Sequence, residues 1–367
     1  MPRLSSHVNP STAAAPVLTD AVVIGAGPAG LWTIFQLGLH GIAAHCIDVL
    51  PEPGGQCLEL YADKPLYDIP GLPATSGRAL AQALMQQVAP FRPQFHWNQL
   101  VKGLQRISDV RWELQTSEHT WHTRSVVIAA GVGAFLPRTL NLPGLAALEG
   151  RQLFYRLKSA APDAWAGEPV VVLGGEDAAV RAALRLSALG PLRPARITLV
   201  HRRDVLQAEP DVLDALAQAR ADGRIDFVAG QPVAWSDADS AEPHLTDLTL
   251  STPDGGTRTL PCTRLLVCLG ISPKLGPLAD WGLALQRKQL PVDTATQATA
   301  LPGIYAVGDV VTYPGKKKLI VSGFHEAIQA GAAIAQQLDP QAPTTVLYTT
   351  SSALLQQRLG VVPVPEV

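Results

Sequence analysis

The sequence predicts an α/β fold of two Rossmann-like dinucleotide-binding domains, the second inserted in the first. Three observations carry that prediction. Apolar, strand-like runs alternate with Ala- and Leu-rich helical runs, the pattern of parallel strands joined by crossover helices. A strand, a Gly-rich turn, a helix and a second strand begin near residue 21, and the same order returns about 150 residues later, near residue 169. The segment after Pro277 holds a further strand and helix but no Gly-rich opening, so it is expected to complete the first domain.

Composition agrees with packed domains. Of 367 residues, 47% are hydrophobic and 16% charged, far from the balance of a disordered chain. Lys and Arg number 29 against 31 Asp and Glu, and a net charge of −2 argues against nucleic acid as a partner, because phosphate binding needs a basic excess. No apolar run reaches the ~18 residues of a membrane helix. The best, at 126–136, is interrupted by Gly131 and Gly133. Residues 1–18 lack the apolar core of a signal peptide and are expected to be a disordered tail. Cys46, Cys57, Cys262 and Cys268 form no C-x-x-C pair and no disulfide framework, which points to the cytoplasm. No metal site is expected.

The first strand is expected at 21–25, the first helix at 31–39 and the second strand at 43–49. In the middle domain, strands fall at 169–173 and 196–200 and a helix at 178–189. A late strand at 303–307 and a helix at 323–337 follow. Pro-rich joints at Leu142-Pro143-Gly144, Ser272-Pro273 and Gly276-Pro277 set the boundaries. The first domain is expected to cover 19–142 and 275–360, the middle domain 143–274, and a tail 361–367.

The first turn reads Gly25-Ala26-Gly27-Pro28-Ala29-Gly30. Gly25 permits the tight turn, Gly27 lets backbone approach a pyrophosphate, and Gly30 lets helix and strand pack closely. The helix start supplies free N–H groups for phosphate. Asp48 ends the second strand, where a carboxylate accepts hydrogen bonds from ribose hydroxyls and repels a 2′-phosphate. Two further segments favour FAD over NAD. Pro53-Gly54-Gly55-Gln56 places flexible backbone and an amide near the ribose, and the strand ending Gly308-Asp309 offers a carboxylate for ribityl hydroxyls, unless Asp309 is a simple turn residue.

Five segments carry a resemblance: GAGPAGL (25–31), PEPGGQCLELYADKPLYDIPGLP (51–73), GAFLPR (133–138), HRRD (201–204) and GIYAVGDVVTYPGKKKLIVSGFHEA (303–327). From about residue 20 to 360 the chain resembles the thioredoxin-reductase-like (type 2) ferredoxin–NADP⁺ reductases of bacteria. Thioredoxin reductases proper carry a C-x-x-C before the middle Gly-rich turn. Here that region reads Phe154-Tyr155-Arg156-Leu157-Lys158, so dithiol exchange is not open to this chain. The resemblance implies that Tyr61 stacks on one flavin face and that Gln56, Val101 and Phe135 line the ring, with Asp309 on the ribityl chain. It implies that Gly323 opens a helix pointing at the flavin, and that Tyr348 covers the second face with Thr350 and Ser351 close by. A surface tyrosine is the alternative for Tyr348. Cys57, without a partner cysteine, reads as a small buried apolar residue. The resemblance also implies a homodimer.

The middle domain is expected to bind NADPH. Its second strand ends in His201-Arg202-Arg203, where guanidinium groups suit a 2′-phosphate. Its turn, however, reads Gly174-Gly175-Glu176-Asp177-Ala178-Ala179, with Glu176 where backbone should meet pyrophosphate. Ala178 and Gln207 are further departures from the family, which has Ser and Arg there. Either Glu176 weakens NADPH binding, or it swings outward and caps its own helix.

The function expected is FAD-dependent electron transfer between NADPH and a ferredoxin or flavodoxin. Lys316, Lys317 and Lys318 could dock an acidic carrier or form a solvated basic loop. The alternatives are an electron-transfer flavoprotein with weakened or lost NADPH use and a non-catalytic FAD-binding sensor.

Overall fold

The computed structural model describes residues 15–157, 160–237, 242–274, 276–342 and 345–361, the side chains of 134–136 and 271–274 excepted. The chain divides into two compact units, Met1–Phe135 with Pro273–Val367, and Leu136–Ser272. The first crossing thus falls at 135/136, ahead of the Pro-rich joint at Leu142-Pro143-Gly144, and the second at 272/273.

In the first unit, β1 (Val17–Ile24) pairs in parallel with β2 (Ala44–Ile47) on one side and with strand Thr120–Ile128 on the other. Strand Gln94–His96 extends the sheet beyond β2, and Arg111–Gln115 and Gly103–Ser108 extend it antiparallel beyond 120–128. Ile304–Ala306 returns late in the chain to lie parallel to Val126–Ile128. Val17 and Leu18 correct the expected tail: they are the first rungs of β1, in register with Trp121 and His122. Backbone pairing holds them although Leu18 is 70% exposed, so apolar patterning did not signal them. Of the two expected tails, residues 1–14 and 362–367 lie outside the described residues.

Helix α1 (Pro28–Leu39) begins three residues before the expected 31, because Pro28 at its first position presets helical φ. It buries Leu31, Ile34 and Leu37 against the sheet. Helices α2 (Gln56–Tyr61) and α3 (Gly77–Val88) follow, α3 capped by the Ser76 side chain.

The second unit repeats the plan. Strand Pro169–Leu173 is central in a wholly parallel sheet, between Arg196–His201 and Arg264–Val267, with Asp226–Ala229 and Leu153–Phe154 at the edges. Helices α4 (Asp177–Ser187) and α5 (Pro210–Ala221) pack through Val180, Ala183, Leu186, Val212 and Leu216. An antiparallel meander, Gln231–Asp237, Leu245–Ser251 and Thr257–Pro261, buries Leu245, Leu248, Leu250 and Leu260.

Back in the first unit, α6 (Ile320–Leu338) buries Gly323, Glu326, Ala327, Ala330 and Ile334, an i, i+3, i+4 stripe with one acid in it. The short α7 (Ala353–Arg358) follows.

Candidate functional site

The parallel strands of the first unit end at an open cleft of ≈ 1150 Å³, its mouth included. The Gly-rich turn forms its floor. Gly25 is left-handed (φ +109°), and a Cβ there would strike the Ala129 carbonyl. Gly30 has no room either, since its Cβ would fall on the Gly25 carbonyl. Gly27 is different: its Cβ would meet nothing nearer than the Gly55 Cα at 4.0 Å, so its bare backbone faces the cleft. Gly27 is also the N-cap of α1, without a side-chain cap, and it lines the cleft with Pro28 and Ala29.

Asp48 lies at the end of β2 and is 8% exposed. Its carboxylate accepts the Ala26 N–H at 2.6 Å and the Leu50 N–H at 2.8 Å. It therefore braces the turn as well as lining the cleft. Gln56, Tyr61, Val101 and Asp309 line the same cleft, and the Gln56 amide donates to Asp309 at 3.3 Å. Tyr61 and Cys57, one helical turn apart, are joined at 3.6 Å, thiol to phenol oxygen. Burial raises both pKa values. Trp281 also lines the cleft, 9% exposed, with an indole N–H that has no protein partner. Sequence reasoning missed it, since a lone Trp in a loop gives no signal.

Several expectations need correction. Gly323 does not open its helix. α6 starts at Ile320, and Gly323 lies in its first turn, where a Cβ would crowd Ala29 at 3.0 Å and Gly308 at 3.5 Å. The helix start carries no capping signature, because its N-cap is Leu319. Lys316 is not a surface lysine. Its side chain is 6% exposed and pairs with fully buried Glu326. Lys317 and Lys318 are exposed, and Lys318 lines the cleft. Tyr348, 67% exposed, and the exposed Thr350 and Ser351 do not line the cleft of their own chain. Their segment instead leads to α7, whose Arg358 donates to the Leu39 carbonyl at the end of α1. The Phe135 side chain lies outside the described residues.

A second turn sits in the other unit. Gly174 donates to the Val200 carbonyl at 2.9 Å, as Gly25 does to Ile47 at 2.9 Å, and a Cβ on Gly174 would strike the Cys268 carbonyl. Gly175 lies against the His201 ring, leaving no room for a Cβ. Glu176 is the N-cap of α4, and its side chain makes no cap hydrogen bond. It is exposed, and a Cβ on Gly270 would lie 3.9 Å from its carboxylate. Arg202 and Arg203 are exposed, while the His201 pKa is lowered by burial first and then by those two cations. Asp177 adds a second acid to the first turn, paired with Arg181 at 2.6 Å.

All four cysteines are free. Cys46, Cys57 and Cys262 are buried and Cys268 is half-buried.

Residues 19–331 match the family model of the pyridine nucleotide-disulphide oxidoreductases. A ferredoxin–NADP reductase of Paracidovorax citrulli is 52% identical over 347 residues, 93% of this chain and 96% of the relative. One from Acidovorax sp. is 51% identical over 360 residues, 97% and 99% of the two chains. Among solved structures, thioredoxin reductases of Lactococcus lactis and T. acidophilum align with TM-scores of 0.56 and 0.57 at 22% and 20% identity. They cover 87% and 88% of this chain, and 98% and 99% of their own, which shows the shared fold.

Proposed function

The chain belongs to the pyridine nucleotide-disulphide oxidoreductase family and to its ferredoxin–NADP reductases, and on that premise we propose that it exchanges electrons between NADPH and a ferredoxin through FAD in the first unit. One observation carries the placement of FAD. The bare Gly27 backbone, Asp48, Gln56 and Asp309 converge on a single cleft at the C-terminal ends of parallel strands, where such sheets bind dinucleotides. Those donors and acceptors fit a pyrophosphate and a polyhydroxylated chain, and the unpartnered Trp281 N–H adds a buried donor.

When bound, FAD supplies a carrier that takes two electrons as hydride and passes them on singly. The chain's own residues hold and orient it. Gly27, Pro28 and Ala29 present the helix start to the pyrophosphate. Asp48 accepts from ribose, Asp309 with Gln56 from the ribityl chain, and Tyr61 offers its ring to the isoalloxazine. Burial raises the Tyr61 pKa further above its ordinary value, so its ring meets the flavin as a neutral phenol. No side-chain acid or base is needed for hydride transfer. In the second unit, Arg202 and Arg203 recognise the 2′-phosphate of NADPH.

A flavodoxin could serve in place of ferredoxin, since either is a small one-electron carrier, and Lys317 and Lys318 offer it a basic approach. A homodimer is supported by Val346, Leu347, Tyr348 and Leu354, apolar residues left 46–70% exposed on the C-terminal segment. A cytoplasmic setting suits four free cysteines. No described helix is long and apolar enough to cross a membrane.

Glu176 favours a second reading, a flavoprotein fed by ferredoxin with weak NADPH use. Anaerobic mixing with NADPH and then with reduced ferredoxin tests both. Bleaching of the flavin by NADPH at catalytic rates supports the first, and bleaching by ferredoxin alone supports the second. A protein that neither carries nor takes up FAD would end both.

A further inference from the structure

Glu326 is the one acid on the buried stripe of α6, and it is fully buried. A carboxylate taken out of water is costly unless donors surround it. Here three donors do. The Gly308 N–H and the Tyr313 hydroxyl reach it at 2.7 Å each, and the Lys316 ammonium closes on the same oxygen as Tyr313. The Lys316 side chain is itself 6% exposed and lies over the Tyr313 ring, 5.7 Å from its centre. Burial and the neighbouring carboxylate raise the Tyr313 pKa further above its ordinary value.

A buried ion pair of this kind seldom adds stability over apolar residues of the same volume, so its value must be sought in the geometry it imposes. Three segments meet on Glu326: the turn at Gly308, the loop carrying Tyr313 and Lys316, and α6. Each leads directly into the cleft wall. Gly308 is left-handed (φ +83°) and precedes Asp309, whose carbonyl is fixed by the Gln289 amide at 3.2 Å and whose carboxylate receives Gln56. The loop after Lys316 supplies Lys318 and Leu319, and α6 supplies Ile320 and Gly323. Glu326 itself does not line the cleft.

We propose that Glu326, clamped by Lys316 and Tyr313, is a positioning residue that holds Asp309 and the start of α6 in the geometry that binds FAD. The inference rests on the reading of the cleft as the FAD site, so the unaltered protein is measured alongside each variant. If it binds no FAD, that reading fails and the clamp is not the cause.

The test pairs two double variants in the full-length chain, with FAD affinity read by flavin fluorescence and folding by thermal melting followed by circular dichroism. Lys316→Met with Glu326→Leu replaces the ion pair by apolar groups and removes the acceptor for Gly308. It strands the buried Gly308 N–H, so it should melt a few °C lower, and it should bind FAD about tenfold or more weakly, the scale of a lost charge-assisted hydrogen bond. Lys316→Met with Glu326→Gln restores a neutral acceptor for Gly308 and should recover FAD affinity to within about threefold. A merely structural pair would move melting and leave affinity alone. Unchanged affinity in the Leu variant, or equal loss in the Leu and Gln variants, overturns the proposal. Should the Leu variant not fold, Tyr313→Phe removes one donor without stranding a charge. It must then weaken FAD binding by about threefold, with melting unchanged, for the proposal to stand.

Discussion

The two Gly-rich turns share one frame and differ at four of six positions, the third among them. In each, the first glycine donates to the end of the second strand, takes a φ above +100° and has no space for a Cβ under the neighbouring strand's backbone. The third position is Gly27 in one turn and Glu176 in the other. Gly27 exposes backbone to the cleft, whereas Glu176 projects a carboxylate into solvent beside a basic strand end. The shared frame is set by covalent geometry and packing. At the third position a Cβ meets nothing nearer than 4.0 Å in the first turn and the side chain is exposed in the second, so it can change without harm to the fold.

Exchanging the two residues breaks the comparison most directly. Gly27→Glu should fold, since nothing lies within 4 Å of the new Cβ except the Gly55 Cα at 4.0 Å. It should lose FAD affinity by about 100-fold, because ~4 kcal/mol of repulsion at ~4 Å is only partly screened in the cleft. Flavin content of the purified variant checks this, and a fully loaded protein would show that the pyrophosphate lies elsewhere.

The reverse change has a smaller effect, as Glu176 is exposed and screened. Glu176→Gly should tighten NADPH binding by about 5- to 30-fold, or 1–2 kcal/mol, with unchanged FAD content. The gain should shrink at high salt. Titration at two ionic strengths decides it, and equal affinities would show that Glu176 never meets the nucleotide.

Arg202→Ala should cut the preference for NADPH over NADH by about tenfold while leaving NADH binding as it was. Steady-state kcat/KM with the two nucleotides reads the ratio. A parallel fall for both would assign Arg202 to the shared part of the molecule instead.

Acid should separate the units more mildly. In the first unit, the His45 and His96 rings are stacked and bonded at 2.9 Å, with the His119 ring tilted against His96 at 5.5 Å. Burial, then His119, lowers the His45 pKa, and burial, then His45 and His119, brings His96 to about 4. Below pH 6.5 the unfolded chain binds protons that the folded cluster refuses, so stability falls as pH drops from 6.5 toward 4 and then levels. The rings are partly solvated, so a loss of a few °C in Tm between pH 7 and pH 5 is expected, roughly halved in His96→Gln. An identical pH profile in the variant would place the acid sensitivity elsewhere.

What the sequence made legible was local. Gly25, Gly27 and Gly30 are dictated by turn geometry, and Asp48 and Asp309 by their place at strand ends. Gln56, Tyr61 and Val101 came through the family resemblance and reach the same cleft. Glu326 was hidden because a glutamate inside a helix reads as solvent-facing. The signal was its position on the apolar stripe, three residues after Gly323 and one before Ala327. Lys316 was hidden within a run of three lysines, where nothing in the residues themselves says which one turns inward. Tyr348 was named for a face of a ring that its own chain does not bring it to. The histidine cluster depends on strands β2 and Gln94–His96 lying side by side, a pairing of distant segments with no local trace.

The cysteines carry a consequence for durability. Burial raises every thiol, Cys46 well above its usual value and Cys262 and Cys268 to about 12, so little thiolate exists at neutral pH. Thiolate is the form that peroxide and alkylating agents attack. A redox enzyme of this build offers such agents little thiolate, and it should keep working through the oxidative and alkylating insults that silence an enzyme relying on a reactive dithiol.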